Sequence, residues 1–167
     1  MTLWLVEGLP GAGKTTLAEN LCALARKSGY AAVWYLEESI DHPVHGQSLK
    51  QARNDGGFVK ACLDSWQQFA EKATNDEVIH VLEGSAFQST VRFMMEEELL
   101  GIEEYYARFE EIVSPLAARV VYLRPMDAIE HSQLTSSPLQ NSSGTPKREG
   151  RPVMCALTTF FFGDCSP

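Results

Sequence analysis

Gly8-Leu9-Pro10-Gly11-Ala12-Gly13-Lys14-Thr15 fills every fixed position of the pattern G-x-x-x-x-G-K-[ST], and its reading decides the fold. Residues 2–6, Thr-Leu-Trp-Leu-Val, form an apolar run before it, and residues 16–27 place Leu17, Leu21 and Leu24 on one helical face after it. Strand, glycine-rich loop and helix thus follow one another in the order a phosphate-binding loop requires. Such a loop wraps backbone N–H groups around phosphate oxygens, where side chains would clash and several dihedrals are open only to glycine. The helix behind it adds the partial positive charge of its N-terminus. Gly8, Leu9, Pro10, Gly11, Ala12, Gly13, Lys14, Thr15 and Thr16 are therefore the expected nucleotide-binding residues. Lys14 is expected to reach the β- and γ-phosphates, and the Thr15 hydroxyl to ligate Mg²⁺, so the implied cofactors are ATP and Mg²⁺.

Outward from this loop the chain alternates strands and helices. Gly29 is placed to close the first helix, and residues 30–36 read as a second strand ending on Glu37 and Glu38. After a loop over 39–47 comes a helical stretch interrupted near Gly56 and Gly57. A longer helix follows, with Phe58, Cys62, Trp66, Phe69 and Ala73 at spacings of three and four. A third strand over 78–82 stops at Glu83. Helices are expected over 89–100 and 102–113, separated by Gly101 and closed by Pro115, and a fourth strand over 117–123. Apolar strands joined by amphipathic helices predict an α/β fold, a three-layer α-β-α sandwich with a parallel central sheet, and place the third strand beside the first. In open sheets of this kind ligands sit at the carboxyl ends of the strands, where Glu37, Glu38 and Glu83 all fall.

The chain of 167 residues, 44% hydrophobic and 22% charged, is sized for one globular domain. Residues 1–131 form the expected core. Residues 132–152 hold five serines, three prolines and two glycines, with Leu134 and Leu139 the large apolar residues, so 132–167 is expected to be a poorly ordered linker and tail. Its apolar end, 152–163, reads either as a fifth strand or as a loosely packed tail. A formal net charge of −8 argues against nucleic acid as a partner. Cys22, Cys62, Cys155 and Cys165 lie far apart, with no C-x-x-C pair and no accompanying histidine spacing, so neither a zinc site nor a disulfide scaffold is indicated and a reducing cytoplasm is expected. No run nears the roughly 18 apolar residues of a membrane helix, and no membrane role is expected.

Glu83, at a strand end beside the phosphate loop, is the expected second metal residue alongside Thr15. Glu37 and Glu38 are candidates for taking the proton of an attacking hydroxyl, with Lys14 as the third catalytic residue; side-chain alternation along the strand slightly favours Glu38 over Glu37. Gln88 and Arg92 are weaker candidates for substrate contact. His42 beside Pro43 reads as a structural loop histidine, and Glu96, Glu97, Glu98, Glu103, Glu104, Glu110 and Glu111 as solvated helix faces.

These residues together give the chain its resemblance to the thymidylate kinase-like and deoxynucleoside kinase-like branch of P-loop kinases. The words that carry it are Glu7 to Thr16, then Trp34-Tyr35-Leu36-Glu37-Glu38 with His42-Pro43, Leu82-Glu83-Gly84-Ser85 with Phe87-Gln88, and Tyr122-Leu123-Arg124-Pro125, spanning about 1–130. The resemblance implies an ATP-dependent phosphotransferase whose partner is a small acceptor, a nucleoside, a nucleotide or another hydroxyl or phosphate compound. There are two departures from that branch. Gly84 stands where its members usually carry arginine after the acid, and the arginine-bearing lid, fifth strand and closing helices are replaced by the Ser/Pro-rich stretch. Lys147, Arg148 and Arg151 resemble a basic lid, although a solvated tail is the preferred reading. The alternative is a nucleotide-binding NTPase that transfers no phosphate, or an inactive truncated kinase. The chain has no Asn-Lys-x-Asp word, which counts against a GTPase.

Overall fold

The computed structural model describes residues 2–39, 41–45, 57–99 and 101–125, together with the backbone of 155–161. The first strand, β1 (Thr2–Gly8), leads through the loop into α1 (Lys14–Lys27). Then come β2 (Ala32–Tyr35), α2 (Phe58–Ala73), β3 (Ile79–Glu83), α3 (Gln88–Glu96), α4 (Ile102–Val113), a short 3-10 turn, β4 (Arg119–Pro125) and β5 (Cys155–Phe161). The strands lie in the order β2-β3-β1-β4-β5. The first four are parallel, and β3 does lie against β1, with Val6 opposite Glu83.

Alternation along β1 divides the core into two layers. Leu3 and Leu5 point to one face, where they meet Trp66 and Phe69 of α2, Met94 of α3 and Tyr105, Phe109 and Val113 of α4. Val6 points to the other, where Ala18 and Cys22 of α1 cover it with Val81 and Leu123. The five spaced residues of α2 are all buried, and removing a side chain such as Phe109 from water stabilises the fold by about 2–3 kcal/mol. The fourth strand starts later than its apolar pattern suggests, because Leu116 ends a 3-10 turn and Ala117 takes a left-handed φ of 45°.

Between β2 and β3, Tyr35 and His80 form a polar brace. His80 Nε2 donates to the Asp76 carboxylate at 3.1 Å, which leaves Nδ1 to accept from the Tyr35 hydroxyl at 3.2 Å. On the other edge β5 runs antiparallel to β4, with Arg119 opposite Phe161 and Pro125 opposite Cys155. The helical stretch expected before Gly57, and Lys147, Arg148 and Arg151, lie outside the described residues. So does most of the expected tail over 132–167, the strand Cys155–Phe161 excepted. Among the described residues no helix is long and apolar enough to cross a membrane.

Candidate functional site

The site begins where β1 turns into its loop. Gly8 has φ 151°, and a Cβ there would sit 2.6 Å from the Leu123 carbonyl oxygen, so only glycine lets β1 end this close to β4. The turn is closed by the Ala12 N–H donating to the Leu9 carbonyl at 3.1 Å, and the Leu17 N–H to the Gly13 carbonyl at 3.0 Å starts α1. Lys14 is buried at the first turn of that helix, its ammonium 3.5 Å from the Leu9 carbonyl, whereas Thr15 and Thr16 are exposed at the helix mouth. Backbone N–H groups, a lysine and a hydroxyl thus converge at one helix N-terminus.

The neighbouring strand end completes the arrangement. Glu83 is buried, yet both carboxylate oxygens are engaged: Thr15 Oγ1 donates to Oε1 at 2.5 Å and Trp34 Nε1 to Oε2 at 3.3 Å. A hydroxyl and a carboxylate side by side are hard oxygen donors of the kind Mg²⁺ takes, so the residues present fit the implied ion.

On the acceptor side the strand-end acids separate. β2 stops at Tyr35, and Glu37 and Glu38 lie in the turn beyond it. The Glu37 carboxylate is half-buried against Gly84, while Glu38 is exposed. Alternation ceases to hold once the strand has ended, so the period of two that favours Glu38 does not extend to these two positions. Burial pushes the Glu37 carboxyl above the usual carboxylate range, against the opposing pull of the Lys14 charge. Gly84 has φ 62°, a conformation strained for a residue with a side chain, and the movable end of the Glu37 side chain lies over it. Arg92 is exposed and turned along α3 to Glu96, its Nε donating at 2.6 Å, and it lies close enough to Glu37 to feel that carboxylate's charge. Gln88 begins α3 with its side-chain Oε1 buried and without a hydrogen-bond partner.

With the loop, the lysine and the strand-end acid in register, the architecture is settled. The chain has the fold of a P-loop NTPase. No family model matches it, and no curated protein does. Among solved structures it is similar to a shikimate kinase from Bacteroides thetaiotaomicron, at 21% identity over 84% of this chain and 66% of that one, with a TM-score of 0.37. It is also similar to a shikimate kinase from Aquifex aeolicus, at 19% identity over 81% of this chain and 95% of that one, with a TM-score of 0.31. The chain spans just under two thirds of the Bacteroides enzyme's length.

Behind this P-loop site lie several buried polar residues, of which sequence pattern singles out His42 alone, as a structural histidine. Glu7 is fully buried and accepts the backbone N–H groups of Ala86 at 2.9 Å and Gln88 at 3.3 Å. Burial pushes its carboxyl up to about 7, held back by those N–H groups and by Phe87 N–H, with the Glu37 charge adding to the rise. Ser85 is also fully buried. Its hydroxyl donates to the Glu83 carbonyl at 2.9 Å and accepts from His42 Nε2 at 3.0 Å. The Val44 N–H on His42 Nδ1 fixes that tautomer, and burial together with the adjoining His45 ring pulls the His42 imidazole down to about 3. His42 is therefore a neutral brace for the strand end that carries Glu83. His45 Nε2 donates to the Ser85 carbonyl at 3.1 Å and reinforces it. The signal for Glu7 was available: a carboxylate in an otherwise apolar strand needs partners.

Proposed function

We propose that the protein is an ATP-dependent phosphotransferase of the thymidylate kinase-like and deoxynucleoside kinase-like branch. It moves the γ-phosphoryl group to a nucleoside, a nucleotide or a similar small acceptor. The observation that carries this reading is the meeting of the Thr15 hydroxyl and the Glu83 carboxylate at 2.5 Å, beside Lys14 at the mouth of α1. Thr15 and Glu83 would hold Mg²⁺, which when bound supplies charge neutralisation on the transferring group. Lys14 and the loop N–H groups would stabilise the negative charge that develops on the phosphoryl oxygens. Glu37 would accept the proton of the acceptor hydroxyl as its oxygen bonds to the γ-phosphorus and the bond to the bridging oxygen of ADP breaks. Its raised affinity for a proton suits it as a base. A reducing cytoplasm is the location this reading takes, with Cys22 and Cys62 buried in the core as small apolar side chains.

Gly84 in the place of an arginine favours one competing reading, a nucleotide-binding NTPase that transfers nothing. Acceptor-dependent ADP release separates the two. A panel of nucleosides, nucleotides, sugars and aminoglycosides with labelled ATP yields one labelled product if the chain is a kinase, and Lys14→Met abolishes it with the fold intact. Equal ADP release with and without every acceptor would establish the NTPase instead.

A further inference from the structure

Glu7 occupies the last position with a side chain before the phosphate loop, and its carboxylate spans to the next strand end. The groups it accepts, Ala86 N–H and Gln88 N–H, lie 79 and 81 residues further along the chain. Gln88 is the first residue of α3, and its N-cap, Phe87, has no side chain that can cap. The first N–H groups of a helix have no partner within it, and its dipole favours negative charge there. Glu7 thus supplies from β1 the cap that α3 lacks. The captured turn runs from Glu83 to Ser89, so one carboxylate ties the strand entering the phosphate loop to the segment that carries the metal-side acid and faces Glu37.

We infer that Glu7 is a positioning residue: by gripping the Ala86 and Gln88 N–H groups it holds the Glu83 end of β3 and the start of α3 at a fixed distance from the phosphate loop. What those walls bind rests on the function proposed above, but the clamp itself does not. Among the described residues the titratable groups facing Glu7 are Glu37, in the turn after β2, and Tyr106 on α4, whose hydroxyl is pushed up to about 12 by burial and then by the Glu7 charge. Ionised, Glu7 accepts through both oxygens. Protonated, it turns one oxygen into a donor with a backbone N–H in front of it, and the clamp loosens.

The test is ¹⁵N NMR of the full chain without any ligand, from pH 5.5 to 8.5. The Ala86 and Gln88 amides and the Trp34 indole N–H, which reports on Glu83, are expected to titrate together with a midpoint within about one unit of pH 7. In Glu7→Gln that titration disappears, and hydrogen exchange at Ala86 and Gln88 speeds up about tenfold, the loss of one charge-assisted bond. Exchange at Leu5 and Leu82 in the core stays unchanged. Glu7→Asp, which keeps the charge with a shorter reach, retains a titration. The inference is overturned if the three wild-type resonances show no common titration, or if exchange in Glu7→Gln rises equally at Leu5 and Leu82. The wild-type titration decides even if the glutamine variant fails to fold. Absence of Mg-ATP binding would remove the proposed activity and leave these resonances as predicted.

Discussion

Thr15 Oγ1 and Glu83 Oε1 lie 2.5 Å apart, although 68 residues separate them, because parallel pairing of β1 with β3 sets Val6 opposite Glu83. The fold itself thus brings the hydroxyl at the start of α1 against the acid at the end of β3.

Replacing Glu83 with glutamine should weaken the Mg²⁺-dependent part of ATP binding by about 10- to 100-fold, and Thr15→Ala should act in the same direction. Calorimetry with Mg-ATP, and with ATP plus chelator, measures that part. A variant that kept the full metal dependence would show that this oxygen pair does not hold the ion.

Glu37 and Glu38 should part company in kinetics. Glu37→Gln is expected to lower kcat by about 10²- to 10⁴-fold with nucleotide affinity retained, as the loss of a general base does. Glu38→Gln should stay near wild type, since that side chain is exposed in the turn. Steady-state rates on whichever acceptor the panel yields check both, and equal losses would disprove the assignment.

Gly84→Ala should cost about 1–3 kcal/mol of stability, because the position has φ 62°, where a residue with a side chain is strained. Urea unfolding reads the loss. Gly84→Ala combined with Glu37→Ala should keep that backbone strain, because the Glu37 carboxylate can swing aside in the single variant.

The pH dependence of stability carries two opposed contributions. His42 falls to about 3 in the fold from an ordinary 6.5, so between these values the unfolded chain binds a proton that the native one refuses, and stability falls as pH drops below 6.5. Glu7 rises to about 7 from 4.5, so the native chain binds the extra proton, and stability falls as pH climbs from 4.5 to about 7. From 4.5 to 6.5 the two offset each other. Each contributes at most about 1.4 kcal/mol per pH unit. In urea titrations, relative to wild type, Glu7→Gln should therefore tilt stability toward rising with pH in that window and His42→Gln toward falling, with the raised Glu37 carboxyl adding to the fall in every variant that keeps it.

How much of this was legible in the chain depends on the range of the interactions. The phosphate loop, the strands on either side of the helices and the inward face of α2 follow from local spacing, and the structure has them at nearly the same residues. Glu83 was legible for the same reason, as the acid that ends an apolar run. The orientation of Glu37 and Glu38 was not, because β2 ends at Tyr35 and a turn obeys no period of two. The partners of Glu7 and of His42 are equally out of reach of local pattern. They sit 79 and 43 residues away and meet only when the strands pair.

The reversed direction of β5 decides where the edge strand begins and stops. Pro125 and Cys155 face each other at the carboxyl end of the sheet, the same pole as Thr15 and Glu83, whereas Phe161 comes to rest opposite Arg119 at the far pole. A spectroscopic label or surface tether placed at Phe161 therefore stands at the pole away from the phosphate loop, and one placed at Cys155 at the same pole as that loop.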